Sequence, residues 1–267
     1  MQLKNTIIFM MIVSCFYSCD SQSTAPGYKF SNFDNTPLSK LAKAVEREDT
    51  IAIMAIVTKG KVNINYLDPN YQQPLLTLAI WHNKMVSTEM LLKLGADPNV
   101  RSPNDSITPF LLTCSLPPDY ENKEFVLKLL IQFGADVNAI QEYTENLSNN
   151  FTHPVKTSAL SYICYNGSLS EMKLLIDNGA DLTKFPRNGN NSLISQALIN
   201  SRLDILKYLL IDKKLPIPDY GVIRNEGTPN EKKITLRQLI LERQEVKDSY
   251  QQKLENEILL FLKDHGQ

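Results

Sequence analysis

The chain has 267 residues, of which 43% are hydrophobic and 21% are charged, and its formal net charge is −1. This composition is typical of a globular protein with a sizeable core. The near-zero charge and the lack of any long run of Lys and Arg disfavour a nucleic-acid-binding protein.

The first residues differ in character from the rest of the chain. Lys4 precedes an apolar stretch, residues 7–13, that is too short to span a bilayer. A basic start followed by a short apolar run is typical of a secretory signal. The alternative, a buried N-terminal helix, is weaker because residues 20–36 form a polar linker with no predicted packing partner.

A small residue precedes each of two cysteines, Cys15 and Cys19. This pattern resembles the bacterial lipoprotein signal, in which the cysteine after the cleavage site receives the lipid. Residues 12–15 match the usual lipoprotein cleavage motif better, whereas cleavage before Cys19 leaves a longer apolar run. We favour Cys19. The resemblance implies a signal peptide at 1–18 and a lipidated N-terminus and linker at 19–36. It also implies a lipid-anchored protein in the bacterial cell envelope, on the periplasmic or cell-surface side, where several acyl chains give stable anchoring.

A unit of about 34 residues recurs from position 39 onward. Its opening position holds Ser, Thr or Pro, and its closing position holds Gly in four of five cases. The openers are Ser39, Pro74, Thr108, Ser158 and Ser192, and the closing residues are Gly60, Gly95, Gly134, Gly179 and Lys213. A repeat of this period predicts stacked helix pairs. The opener suits a helix N-cap or first turn, and the closing Gly suits a left-handed C-cap after the second helix.

The residues at both ends of the unit resemble those of ankyrin repeats. Thr108-Pro109-Phe110 and the run Gly134–Asn138 match the family's opening and closing motifs almost letter for letter. The resemblance implies an all-α solenoid of about five repeats, spanning residues 37–214, with antiparallel helix pairs joined by β-hairpin loops. The His of the family's opening motif is absent, so its hydrogen bonds between repeats must be replaced or missing. That position holds Ala42, Thr77, Leu111, Ser161 and Ser195.

Two insertions and a degenerate end interrupt the period. Residues 116–123 lengthen one interhelical turn, and residues 139–156 enlarge a hairpin loop that includes Tyr143 and Phe151. Residues 215–267 are predicted to form a connector and a degenerate capping repeat, with helices at 234–242 and 245–264.

No enzyme is predicted, and no cofactor or metal. The three histidines, His82, His153 and His265, fall in different units, whereas a zinc site needs clustered ligands. Cys114 and Cys164 occupy equivalent positions of consecutive units. Equivalent positions of packed helices lie roughly 8–10 Å apart, too far for a disulfide, so two buried free thiols are expected.

The expected function is non-enzymatic binding of a protein partner, because the resemblance implies a concave face built from first-helix ends and hairpin loops. Trp81, the only tryptophan, is expected on that face as a binding residue; the alternative is that it packs on Tyr165 or under the inserted loop. The predicted partner-binding residues are Trp81, His82, Tyr165, Asn166, Tyr71, Asn70, Asn104, Asp105, Tyr143 and Phe151.

Narrower alternatives remain open for the function. One is an immunity-type protein that neutralises a toxin or effector, and a docking scaffold for an envelope enzyme is another. A third, from a different class, is an enzyme or ligand-binding protein with its site in the 139–156 loop. We expect a monomer that binds no nucleic acid.

Overall fold

The computed structural model of the protein describes residues 26–146, 152–224, 229–243 and 248–267. The chain divides into two compact units. Of the described residues, unit 1 holds 26–113, 125–136, 141–146 and 152–155, and unit 2 holds 114–124, 137–140 and everything from 156 onward.

Helix pairs recur at the predicted positions. The first helices of the repeats are α1 (Ser39–Glu46), α3 (Leu75–Trp81), α5 (Pro109–Ser115), α7 (Ala159–Asn166) and α9 (Leu193–Ile199). The second helices are α2 (Thr50–Gly60), α4 (Met85–Lys93), α6 (Lys123–Gln132), α8 (Leu169–Asp177) and α10 (Leu203–Lys207). In unit 1, α1 packs on α2 and α3, and α4 packs on α2 and α3. In unit 2, α9 packs on α7 and α10, and α8 packs on α7 and α10.

The openers cap the first helices as their residue types predict. The hydroxyl oxygens of Thr108, Ser158 and Ser192 each accept a hydrogen bond, at 3.1 Å, from the backbone N–H three residues on. Pro74 is the N-cap of α3 and lacks such a bond, and Ser39 is the first helical residue of α1. An uncapped N–H at a helix start costs about 1 kcal/mol, so these side chains fix where the helices begin.

The closing glycines behave as expected in three of five repeats. Gly95, Gly134 and Gly179 have φ of 96°, 87° and 91°, in the left-handed region that favours glycine. Gly60 does not: it is the last residue of α2, and Lys61 takes the left-handed conformation with φ 46°. In the fifth repeat, a π-helical turn (Tyr208–Asp212) follows α10 and shifts the left-handed position from Lys213 to Lys214, φ 53°.

An asparagine ladder links successive turns and supplies bonds between repeats. The Asn99 side chain accepts from the backbone N–H of Asp136 at 2.8 Å and donates to the Gly134 carbonyl at 2.9 Å. Asn138 makes the same two bonds to Asp181 and Gly179 at 2.8 and 3.0 Å, and Asn65 makes the pair to Asp97 and Gly95. These bonds join the turn of each repeat to the turn of the next.

The inserted loop forms a strand pair, β1 (Ile140–Asn146) with β2 (Thr152–Ser158). The C-terminal part holds a short antiparallel hairpin, β3 (Val222–Arg224) with β4 (Lys232–Ile234), and then α11 (Leu236–Leu241) and α12 (Ser249–Asp264). The hairpin was not predicted, and it takes the first residue of the helix expected at 234–242. Helix α12 packs on α10 and α11 and buries Leu254, Ile258 and Leu262, as expected of a capping helix; residues 244–247 lie outside the described residues.

Candidate protein-binding surface

The expectation that Trp81 is exposed is wrong. Its side chain is only 6% exposed, because the segment that precedes the first repeat folds over it. The Tyr28 ring stacks on the Trp81 ring, with centroids 4.2 Å apart and planes inclined by 13°.

The side chain of His82, the next residue, contacts the backbone of the same segment. Its Nε2 lies 2.5 Å from the Tyr28 carbonyl oxygen, and because a carbonyl only accepts, this nitrogen carries the proton. The Phe30 ring lies on the other side, 5.0 Å from the imidazole centroid. We call Trp81 and His82, at the C-terminal end of α3, the Trp81–His82 surface.

Residues 26–36 are therefore not an unpacked linker, contrary to the prediction. Two 3-10 turns, Pro26–Tyr28 and Phe30–Phe33, pack on α3 and α1 respectively, and Phe30 and Phe33 are buried. Burial raises the pKa of the Tyr28 phenol, and the nearby Asp105 carboxylate acts in the same direction. The sequence signal was present, since three aromatic residues in six positions are unusual in a solvated linker.

The hairpin loops of unit 1 present polar and aromatic side chains to solvent. Asn70, Tyr71 and Asn104 are exposed as predicted, and Asn104 donates from its side chain to the Tyr71 carbonyl at 3.1 Å. The loop is rigid because the buried Asp68 carboxylate accepts from the backbone N–H groups of Asn70, Tyr71 and Gln73 at 2.7–3.0 Å. These three bonds are made within the chain, so the loop is organised before any partner arrives.

Asp105 is only partly exposed and belongs to a polar network inside unit 1. Its carboxylate accepts from the Gln73 side chain at 3.2 Å, and its carbonyl accepts from the Gln141 side chain of β1 at 2.7 Å. Gln141 is itself buried. Asp105 therefore positions the hairpin loop as well as bordering it.

In unit 2, one of the two predicted binding residues is internal. Asn166 is buried, and its side chain donates to the Ser115 carbonyl at 2.8 Å, so the expectation that it contacts a partner is wrong for the folded chain. Tyr165 is partly exposed, and burial raises its pKa. Tyr143 is partly exposed on β1, whereas Phe151 and Cys19 lie outside the described residues.

A buried ion pair in unit 2 escaped the sequence analysis. The Lys123 ammonium donates to the carbonyls of Leu116 and Asn166 at 2.8 and 2.9 Å, and lies 3.5 Å from a Glu171 carboxylate oxygen. That carboxylate also accepts from the Ser168 N–H, completing a capping box at the start of α8. The cluster fastens the 116–123 insertion to α7 and α8.

The two internal cysteines are buried free thiols, as predicted. Burial raises the pKa of each thiol to about 12. Within the described ranges, no three His, Cys, Asp or Glu side chains are grouped so that they could hold a metal ion. The same ranges include no helix with the length and apolar character needed to cross a bilayer.

The comparison with family models agrees with the repeat architecture. Residues 119–219 match the family model of ankyrin repeats, in three copies. A comparison of the sequence with curated proteins returns no match. Among solved structures, the chain is similar to the human ASB11 ankyrin repeat domain at 18% identity, with a TM-score of 0.47, over 66% of this chain and 69% of that one.

The protein has the ankyrin-repeat fold, with antiparallel helix pairs and small hairpin strands. The repeats expected from the openers and closing residues are confirmed by the family model over residues 119–219. Ankyrin repeats generally mediate protein–protein interaction, and the fold is typically a non-enzymatic interaction module.

Proposed function

We propose that the protein is a non-enzymatic, protein-binding module tethered to the bacterial cell envelope. The observation that carries the proposal is the match of residues 119–219 to ankyrin repeats, because such repeats present an extended surface rather than a reaction site. Function on this scaffold depends on which side chains the surface displays.

The loop of Asn70, Tyr71 and Asn104 is our candidate for the partner-contacting surface in unit 1. Tyr71 is 39% exposed at the rim of a loop that Asp68 holds rigid. A Tyr side chain brings a large contact area and a polar hydroxyl at low entropic cost, which favours it at binding hot spots. Tyr165 is the corresponding candidate in unit 2.

A photo-crosslinking amino acid at position 71 tests this surface in the native host. We expect one adduct of defined mass, formed with a protein partner. The matched control carries the same group at Ile51, which is 83% exposed on the second helix α2. If exposure alone governed capture, Ile51 would crosslink more than Tyr71, and that result or the same adduct at both positions would overturn the proposal.

The tether is proposed to be a lipid on Cys19. Fatty-acid labelling of the expressed chain should be lost in Cys19→Ala and retained in Cys15→Ala, and the Cys19→Ala protein should move from the membrane fraction to the soluble fraction. Loss of label in Cys15→Ala alone would transfer the anchor to Cys15. Labelling of neither cysteine in the wild-type chain would remove the tether from the proposal while leaving protein binding to be judged by crosslinking.

A further inference from the structure

The segment that covers the Trp81–His82 surface has the features of a bound peptide. Lys29 is extended, with φ −100° and ψ 133°, and its side chain is exposed. Tyr28 and Phe30 on either side of it contact Trp81 and His82. Lys29 is the extended residue between the two 3-10 turns, and this junction places the Tyr28 and Phe30 rings on the protein and the Lys29 side chain in water.

Backbone and side-chain contacts both contribute to this recognition. The His82 imidazole donates to the Tyr28 carbonyl, which fixes the peptide's position along the surface. The Tyr28–Trp81 stack supplies a flat aromatic contact that any exposed aromatic ring could reproduce. Gly27 passes the Tyr71 ring, where an added Cβ would lie 3.6 Å from the ring carbon, an ordinary contact distance. The segment thus runs from the candidate partner-binding loop to the end of α3.

We propose that the Trp81–His82 surface is a docking site for a protein segment with the pattern aromatic-x-aromatic, and that Tyr28-Lys29-Phe30 fills it in the unbound protein. The inference rests on the proposed function, because it names the chemistry of the partner. A partner with such a segment replaces Tyr28, while Phe33 and Leu38, both fully buried, keep the rest of the N-terminal segment in place.

A partner can replace the tethered segment only when the contacts of that segment with the surface open. These contacts include one ring stack, one hydrogen bond and one tilted ring contact between residues 28–30 and the pair His82 and Trp81. Where an open and a closed conformation differ by a few kcal/mol, the open one is populated at about 0.1–10%, and a partner can select it. A short tether gives an effective concentration in the millimolar range, so the site stays closed only if the free segment binds with a Kd below about 1 mM.

Trp81 provides the readout, since it is the chain's only tryptophan. In the full chain, Tyr28→Ala should shift Trp81 emission to the red and increase its quenching by acrylamide. A synthetic peptide of residues 24–32 should then bind the variant with a Kd below about 1 mM and reverse the shift. The wild-type chain should not bind this peptide measurably below 1 mM, because its own segment occupies the site.

Two matched variants guard against a general structural effect. Tyr28→Phe keeps the ring and should behave as wild type, and Tyr250→Ala removes an exposed tyrosine of α12 and should leave Trp81 emission unchanged. The inference is overturned if Tyr28→Ala leaves Trp81 unaltered, or if the peptide fails to bind it. Equal binding of the peptide to wild type and Tyr28→Ala would also overturn it. If the peptide binds Tyr28→Ala as expected but no partner crosslinks at position 71, the result counts against the proposed function and not against this inference.

Discussion

The ammonium of Lys123 lies 3.5 Å from the carboxylate of Glu171, and both side chains are almost completely shielded from water. Burial lowers the pKa of Lys123, and the Glu171 carboxylate acts in the opposite direction. The ammonium also donates to the carbonyls of Leu116 and Asn166, so each of its three N–H groups has an acceptor. A buried charge so fully paired is tolerated, but each partner becomes costly to remove alone.

We therefore expect Lys123→Met to lower the free energy of unfolding by about 3–5 kcal/mol, because Glu171 is left buried without its cation. Urea denaturation followed by circular dichroism measures the change. Adding Glu171→Gln should recover part of the loss, since the neutral amide no longer needs a counter-charge.

The matched control for this prediction is Lys40→Met. Lys40 is exposed on helix α1, and surface substitutions away from special features usually change stability by less than about 0.5 kcal/mol. A Lys123→Met protein as stable as Lys40→Met would mean that the buried ion pair does not hold the 116–123 insertion in place.

The buried thiols predict a loss of stability at alkaline pH. Burial raises the pKa of Cys114 and Cys164 from 9.0 to about 12, so between these values the unfolded chain releases protons that the folded chain keeps. The stability that the two protonated thiols give the folded state is fully present below pH 9 and falls as the pH rises towards 12. Between pH 8 and pH 10 we expect the wild type to lose about 2–3 kcal/mol relative to Cys114→Ala/Cys164→Ala.

The pH dependence of that difference is the diagnostic quantity, because the cavities left by alanine cost the same at both pH values. Cys15 and Cys19 are unchanged in the double variant and cancel in the comparison. A difference that stays constant from pH 8 to pH 10 would show that the two thiols titrate alike in the folded and unfolded chains.

The repeats were predictable because each is defined by local chemistry. A capping hydroxyl, an apolar stripe and a left-handed glycine are short-range signals, and the helices at Ala159–Asn166 and Leu169–Asp177 begin and end where those signals lie. The exceptions have local causes as well. Lys61 takes the left-handed position beside Gly60, and a π-helical turn adds a residue before Lys214.

The candidate surface was less predictable because burial there depends on contacts distant in sequence. Trp81 is covered by Tyr28, 53 positions earlier, and no repeat register reports that contact. Asn166 looked exposed from its position in the repeat, yet its side chain donates to the Ser115 carbonyl at the end of α5, and its own carbonyl accepts from Lys123 of the insertion. Contacts outside the repeat pattern therefore decide that Trp81 and Asn166 are buried.

Gly60 and Gly95 occupy the same position of consecutive repeats but should respond oppositely to alanine. Gly95 has φ 96° with open space around it, so Gly95→Ala should cost about 1–2 kcal/mol through backbone strain alone. Gly60 is helical, and an added Cβ would lie 3.5 Å from Val62, so Gly60→Ala should stabilise by about 0.5–1 kcal/mol. Thermal and urea unfolding of both variants test the pair, and destabilisation of equal size at both sites would contradict the assigned turns.

Thr77 and Thr113 are two buried threonines of unit 1 whose hydroxyls differ in hydrogen bonding. The Thr113 hydroxyl donates to the Pro109 carbonyl at 2.8 Å. The Thr77 hydroxyl, at the position where the ankyrin motif has His, is buried without a hydrogen-bond partner among the described residues. An unsatisfied buried hydroxyl costs about 1–3 kcal/mol, whereas a satisfied one contributes about 0.5–1.5 kcal/mol.

Replacing each threonine by valine, which has nearly the same shape, should therefore move stability in opposite directions. Thr77→Val should raise the free energy of unfolding by about 1 kcal/mol, and Thr113→Val should lower it by a similar amount. Urea denaturation of the two variants beside wild type measures both changes. Destabilisation by Thr77→Val would mean that its hydroxyl has a partner in solution, and the missing histidine bond would then be replaced at this repeat rather than lost.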